Sequence, residues 1–182
     1  MVLGADEKMI AQARLGRAHG MTTSTVQRLN GQGTYDVTML GFNYRMTELN
    51  AALGLVQLGK LSGWNARRKA LTLQYKELLT GSGIGVPFAM QSLSTHHIFP
   101  VLLPDSADRG LVIAALRQEG IQTSFHYPPI HLLSWYRDRN PDVYLPVTEM
   151  FSSRELTLPL HPKMADAQVE HVTRTLLRTL TH

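Results

Sequence analysis

Apolar positions recur along this chain at two periods, and the change between them divides it. Over residues 7–18, Met9, Ile10, Ala13 and Leu15 fall at helical spacing behind Asp6, a residue suited to cap a helix start, and His19-Gly20 supplies the stop. Residues 1–4 read as the end of a strand, and residues 21–40, rich in Thr, Ser, Asn and Gly without a firm period, as a loop. Thr47 is the next N-cap, with Glu48 complementing the positive end of the helix dipole. Beyond it Leu49, Ala52, Leu53 and Val56 share one face while Leu55 and Leu58 occupy the other side, and a helix apolar on most sides is expected to be buried. Gly54 and Gly59 each cost about 1 kcal/mol relative to alanine, which makes sense where another backbone passes close. A second helix over residues 62–79 carries Leu71, Tyr75, Leu78 and Leu79, and Thr80-Gly81-Ser82-Gly83 ends it.

The second half shortens its elements. Residues 97–103 read as a strand near a sheet edge because of Pro100. A helix capped by Asp105 or Ser106 carries Leu111, Val112, Ala115 and Leu116 and closes at Gly120. Residues 121–125 alternate as a strand does, residues 126–146 form a loop rich in His, Pro and Tyr, and residues 155–158 form a short strand ahead of Pro159. Ala165, Val169, Val172, Leu176 and Leu180 mark a final helix. From residue 96 the order strand, helix, strand, strand, helix predicts a small α+β layer with helices packed on one sheet face.

Composition narrows the function classes. Of 182 residues, 43% are hydrophobic and 18% charged, as in a folded, water-soluble chain. Cysteine is absent, which excludes a disulfide framework, a thiolate metal site and a cysteine nucleophile. No apolar run approaches the roughly 18 residues that span a bilayer, and the first residues lack a secretory pattern, so a cytoplasmic protein with no membrane partner is expected. The net charge of +4 is scattered. Its one dense run, Arg67-Arg68-Lys69, reads as a solvated helix face and not as a nucleic-acid patch.

Two constellations bear chemistry. Asn43-Tyr44-Arg45 stands at the mouth of the apolar helix, where a guanidinium fork, an amide and a phenol suit an oxyanion; the same residues also fit a capped turn with an ion pair. His126, Tyr127 and His131 flank Pro128-Pro129, and a histidine of near-neutral pKa donates readily to a phosphate or hydroxyl; a rigid loop with its histidines bonded to backbone carbonyls is the alternative. His96 and His97, adjacent on a strand, point to opposite faces, so no metal site is expected there or at His161 and His171. Trp64, Trp135 and Tyr136 read as packing anchors. Of the lysines, Lys8, Lys60, Lys69, Lys76 and Lys163, the middle three lie on amphipathic helices and are most simply solvent-facing.

The run Gly41-Phe42-Asn43-Tyr44-Arg45-Met46-Thr47-Glu48-Leu49, continuing to Leu61, closely resembles a signature of the DegT/DnrJ/EryC1/StrS family of sugar aminotransferases that use pyridoxal phosphate. So do, in order, Arg67-Arg68 with Tyr75, His96-His97-Ile98-Phe99, Gly120-Ile121-Gln122-Thr123 with His126-Tyr127-Pro128-Pro129-Ile130-His131, Leu145-Pro146-Val147-Thr148-Glu149, and Leu156-Thr157-Leu158-Pro159-Leu160-His161-Pro162. The resemblance implies the α/β fold of type I pyridoxal-phosphate enzymes: residues 1–40 as the end of the large cofactor domain and its loop, residues 41–82 as interdomain helices, residues 83–182 as the small C-terminal α+β domain. It implies a role for Asn43 at the cofactor phosphate of the neighbouring subunit, with Tyr44 and Arg45 beside it, and for His126, Tyr127 and His131 near substrate. The parent enzyme would transfer an amino group from glutamate or glutamine to a nucleotide-linked keto sugar and would work as a homo-oligomer. In the family the Schiff-base lysine lies in a serine-rich segment upstream of this run, and none of the five lysines stands in that setting. The expectation is therefore a C-terminal half, without catalytic residues of its own and inactive alone; a non-catalytic domain that only self-associates, or one half of a split enzyme, are the alternatives.

Overall fold

The computed structural model describes residues 2–23, 25–31, 33–88 and 94–181, the side chains of Thr25 and Val26 excepted. It comprises two compact units, Met1–Gly59 and Lys60–His182. The boundary falls within one helix.

In the first unit α1 (Glu7–Gly16) begins where Asp6 accepts from the backbone N–H groups of Lys8 and Met9 at 2.8 and 3.2 Å, satisfying two of its orphan donors. It ends with His19 and Gly20, both at positive φ (62° and 71°), and Gly20 N–H returns to the Leu15 carbonyl at 2.8 Å. Residues 2–4 form no strand, against expectation; Met1 lies outside the described residues. The expected loop contains a short α2 (Thr25–Leu29). Isolated antiparallel bridges, Met21 to Val37 and Ala18 to Asn43, fold the segment back on the end of α1.

Helix α3 (Glu48–Leu78) is capped by Thr47, whose hydroxyl accepts from Asn50 N–H at 3.3 Å. The sequence predicts two helices here; the structure has one of 31 residues. Ser62-Gly63 lowers helix propensity without supplying a stop. The first half of α3 is also exposed where burial was expected, with Leu49 85%, Leu55 72% and Leu58 65% exposed. A Cβ added at Gly54 or Gly59 would meet nothing within 4 Å, so no backbone among the described residues passes close to either glycine. The unit 1–59 offers no apolar layer to cover this face: every member of the buried hydrophobic core among the described residues lies between Leu71 and Leu176.

The second unit holds that core. Strands β1 (Phe99–Leu102) and β2 (Glu155–Leu158) pair antiparallel, with Phe99 opposite Leu158 and Val101 opposite Leu156. Directly opposed residues share a face. Phe99, Val101, Leu156 and Leu158 therefore form one apolar surface, and Leu102, Glu155 and Thr157 belong to the other. The apolar surface joins a single core with Leu71 and Tyr75 of α3, Val112 and Leu116 of α4 (Arg109–Gln118), and Val169, Val172 and Leu176 of the C-terminal helix Asp166–Leu180. The Tyr75 ring stacks on Phe99 at 4.7 Å, and its hydroxyl donates to the Pro159 carbonyl at 2.9 Å. Burial pushes the Tyr75 phenol well above its ordinary pKa. Asp108, and not Asp105 or Ser106, caps α4, accepting from Gly110 and Leu111 N–H at 2.7 and 3.1 Å. Residues 121–125 lie beside β2 and pair with it only at Ser124 and Thr157, so the predicted third strand is reduced to one bridge.

The predicted loop at 126–146 is partly helical. It contains a 3-10 turn (Ile130–Leu132) and α5 (Ser134–Arg137), and α6 (Pro146–Arg154) follows with proline at its first turn, where a missing N–H costs nothing. The C-terminal helix is then α7 (Asp166–Leu180). Trp135 and Tyr136, expected as anchors, are 63% and 46% exposed; Arg139 lies over the Trp135 ring. Arg67 and Arg68 are not simply solvated: Arg67 pairs with Asp166 at 2.8 Å and donates to the Met164 carbonyl, while Arg68 donates to Asn65 and to the Thr95 carbonyl.

Candidate functional site

The sequence-predicted residues fall into two groups, one in each unit. The first is set by backbone contact between two glycines. A Cβ on Gly41 would stand 2.2 Å from Gly20 N, and one on Gly20 would stand 1.9 Å from the Met39 carbonyl oxygen. Only glycine allows this approach. The approach latches residues 42–44 to the end of α1, with Phe42 N–H donating to Gly16 O at 2.7 Å, His19 N–H to Phe42 O at 3.1 Å and Tyr44 N–H to Arg17 O at 2.9 Å. Asn43 and Arg45 follow from this latch as exposed side chains, and Tyr44, 73% exposed, stacks on Phe42 at 5.3 Å.

Arg45 borders a concavity of about 760 Å³ together with Arg14, Arg17, Thr22 and Thr23. Asn43 and Tyr44 do not line it. Arg14 and Arg17 are three apart on one helical edge, and no ion pair engages Arg14, Arg17 or Arg45 among the described residues. Three planar guanidinium groups around one hollow suit a phosphate or carboxylate. Among the described residues no lysine lines the hollow. The sequence reading missed Arg14 and Arg17; their spacing beside the Arg45 word was the available signal.

The second group sits on the polar face of β2 and the chain after Ser124. The His126 N–H donates to Glu155 Oε2 at 2.8 Å, and His126 Nδ1 lies 2.8 Å from Thr157 Oγ1. Thr157 Oγ1 in turn donates to Glu155 Oε1 at 2.5 Å. Glu155 is buried, and no Lys, Arg or His pairs with its carboxylate among the described residues. The Arg109 guanidinium donates to the backbone carbonyls of Ser152 and Glu155 and lies over the Phe125 ring at 5.2 Å. Tyr127 joins His126 through a cis peptide, presents its ring edge-on to the imidazole, and is 73% exposed. Glu155 and Thr157 also escaped the sequence reading, although two polar residues alternating with Leu156 and Leu158 in a strand are a readable sign of a purposeful second face.

His131 is placed differently. Its side chain is 8% exposed and its Nε2 contacts Glu149 Oε1 at 2.9 Å, tying the 3-10 turn to α6. That hydrogen bond holds the Glu149 carboxyl below the usual carboxylate range. Among the described residues no three His, Asp or Glu side chains gather as a possible metal site, and no helix is long and apolar enough to cross a membrane.

Known proteins share this fold. DesV of S. venezuelae, solved with a ketimine intermediate, is 28% identical, with a TM-score of 0.83 over 99% of this chain and 46% of its own. Spr1654 of Streptococcus pneumoniae, assigned as a sugar aminotransferase and solved in its PMP-form, is 28% identical, with a TM-score of 0.81 over 98% of this chain and 46% of its own. PseC of Helicobacter pylori, an aminotransferase of pseudoaminic acid biosynthesis, shares the fold at 24% identity, with a TM-score of 0.84 over 97% of this chain and 47% of its own. The chain thus spans less than half the length of these proteins. Residues 1–177 match the DegT/DnrJ/EryC1/StrS aminotransferase family, and with that match the chain belongs to it.

Proposed function

We propose that this chain is the C-terminal part of a pyridoxal-phosphate-dependent aminotransferase that moves an amino group from glutamate or glutamine to a keto sugar carried on a nucleotide. The observation that carries this reading is the family match over residues 1–177, at less than half the length of the solved relatives. The donor set fits part of the cofactor. Arg14, Arg17 and Arg45 suit its phosphate, while no lysine among the described residues borders the same hollow to hold it covalently. The chain is accordingly inactive alone.

When bound, the cofactor draws electrons away from the reacting carbon. This chain's own residues do the supporting work. The arginine forks would hold the phosphate, and Asn43 and Tyr44, exposed on the neighbouring latch, would offer neutral donors outside the hollow. His126 and Tyr127 face the sugar, and His131, its Nε2 committed to Glu149, holds the loop that carries them.

The test is to titrate the purified chain with pyridoxal phosphate, follow its absorbance and trap any adduct with borohydride. Weak, salt-sensitive binding without a trapped lysine is expected, and binding should fall further in Arg45→Ala. One lysine trapped stoichiometrically would overturn the inactive reading. A second reading, a domain that self-associates without catalysis, is favoured by the exposed Leu49, Leu53, Leu55 and Leu58. Light scattering decides it: concentration-dependent assembly that Leu55→Lys abolishes supports self-association through α3, and a monodisperse monomer counts against it.

A further inference from the structure

Glu155 and Thr157 stand two residues apart on β2 and so project from one face of the strand. Both are buried, at 1% and 6% exposure. Glu155 takes two neutral donors, the His126 N–H on Oε2 at 2.8 Å and the Thr157 hydroxyl on Oε1 at 2.5 Å. A buried carboxylate without a cation is an expensive arrangement, and it strongly favours keeping both donors pointed at it. The Thr157 hydroxyl has a single proton. With that proton given to Glu155, Thr157 Oγ1 presents only lone pairs to His126 Nδ1, 2.8 Å away. With Glu155 as a carboxylate, the proton in the second contact sits on Nδ1. A neutral imidazole protonated at Nδ1 carries its lone pair at Nε2, and no contact occupies Nε2 among the described residues.

We infer that Glu155 and Thr157 are positioning residues that fix the tautomer of His126, so that Nε2 is an acceptor aimed at a donor group of the ligand, a sugar hydroxyl or an amino N–H. The assignment of a sugar as that ligand rests on the function proposed above; the tautomer does not. The geometry also gives the two residues unequal parts. Thr157 transmits the polarity, since its hydroxyl both accepts from the ring and donates to the acid. Glu155 sets the direction, and it anchors the backbone of His126 with its other oxygen. A protonated Glu155 would reverse the relay: its O–H would donate to Thr157, Thr157 would donate to Nδ1, and His126 would carry its proton on Nε2.

The experiment is nitrogen-15 NMR of the full 182-residue chain labelled at histidine, with the His126 signals assigned by their loss in His126→Gln. At a pH where the ring is neutral, a pyrrole-type Nδ1 and a pyridine-type Nε2 are expected. Thr157→Val keeps the shape of the side chain and removes the relay, so its His126 should shift mainly to the Nε2–H form. Thr157→Ser restores the hydroxyl and should restore the Nδ1–H form, a rescue that a merely space-filling role would not produce. A wild-type ring protonated at Nε2 overturns the inference whether or not the variants fold, and so does an unchanged tautomer in a folded Thr157→Val. Addition of a uridine-diphosphate sugar separates the two readings. A relay that holds while the sugar nucleotide leaves His126 unmoved supports the positioning role and sinks only the substrate assignment.

Discussion

The two halves of α3 make the sharpest contrast in this molecule. Both are rich in leucine, and they belong to one unbroken helix. Leu71 and Tyr75 in the second half are fully buried, whereas Leu49, Leu55 and Leu58 in the first half are 85%, 72% and 65% exposed. Propensity does not separate them, since the helix runs through three glycines of the first half and its end without a break. The difference is the presence of a partner. Tyr75 has the Phe99 ring and the Pro159 carbonyl to meet, both supplied by its own unit. The described residues of 1–59 supply no equivalent layer. An apolar stripe states that burial would be favourable, and only another surface can provide it.

The largest effect expected from this contrast is on cavity formation. Leu71→Ala should lower unfolding free energy by about 2–5 kcal/mol, because it opens a hole among Tyr75, the sheet and the packed helices. Leu55→Ala, sixteen residues earlier in the same helix, should stay within about 0.5 kcal/mol. Urea unfolding followed by circular dichroism measures both. Equal losses would mean that the first half of α3 is covered in solution and would erase the comparison.

A smaller loss tests the polar anchor of the buried half. Tyr75→Phe removes the hydrogen bond to the Pro159 carbonyl and leaves that acceptor without it, at a cost of about 1–2 kcal/mol. Because burial raises the pKa of the phenol, the hydroxyl stays protonated into alkaline solution, and the cost should be constant from neutral to moderately alkaline pH. A cost that vanishes at about pH 10, where an ordinary tyrosine ionises, would contradict this environment.

The helix caps sharpen the contrast between the units at equal chemistry. Asp6 and Asp108 each accept two backbone N–H groups at the start of a ten-residue helix. Asp108→Ala should cost about 1 kcal/mol in the cooperative transition, because α4 contributes Val112 and Leu116 to the core. Asp6→Ala should leave that transition in place and raise amide exchange over residues 7–16 only, since α1 buries no residue of its own. Coupled loss in both variants would mean that the two units unfold as one.

What could be read from the sequence follows the same logic. Caps and stops depend on neighbours in the chain, so Asp6, Thr47 and Gly20 were legible, and so was β2, whose hydrophobic register needs only four residues. Whether a helix is covered depends on distant surface, so the exposure of residues 48–61 was not legible. Helix α6 was hidden because its apolar positions, Val147, Met150 and Phe151, are few and its start is a proline read as part of a loop. At the candidate site, Asn43, Arg45 and His126 could be named from residue type and resemblance. Their partners could not. Arg14 and Arg17 reach Arg45's hollow through a glycine contact across more than twenty residues, and Glu155 and Thr157 reach His126 across about thirty.

The smallest effect concerns a pair at the edge of the second unit. The hydrogen bond from His131 holds the Glu149 carboxyl below the usual carboxylate range. A carboxyl whose folded-state pKa is depressed contributes stability that is fully present above its unfolded pKa and is lost as pH falls through the carboxylate range. Glu149→Gln removes this contribution without removing the side chain's shape. The variant should therefore be slightly less stable than the parent at about pH 6, and the difference should narrow toward about pH 3 as pH falls through the carboxylate range. Urea midpoints of the two proteins at both pH values measure it. The partly exposed setting of Glu149 keeps the effect small beside the losses at Leu71 or Tyr75. Midpoints that fall in parallel from the higher to the lower pH would show that the His131 contact does not discriminate between the charged and neutral acid, and would leave His131 as a packing residue of the 3-10 turn.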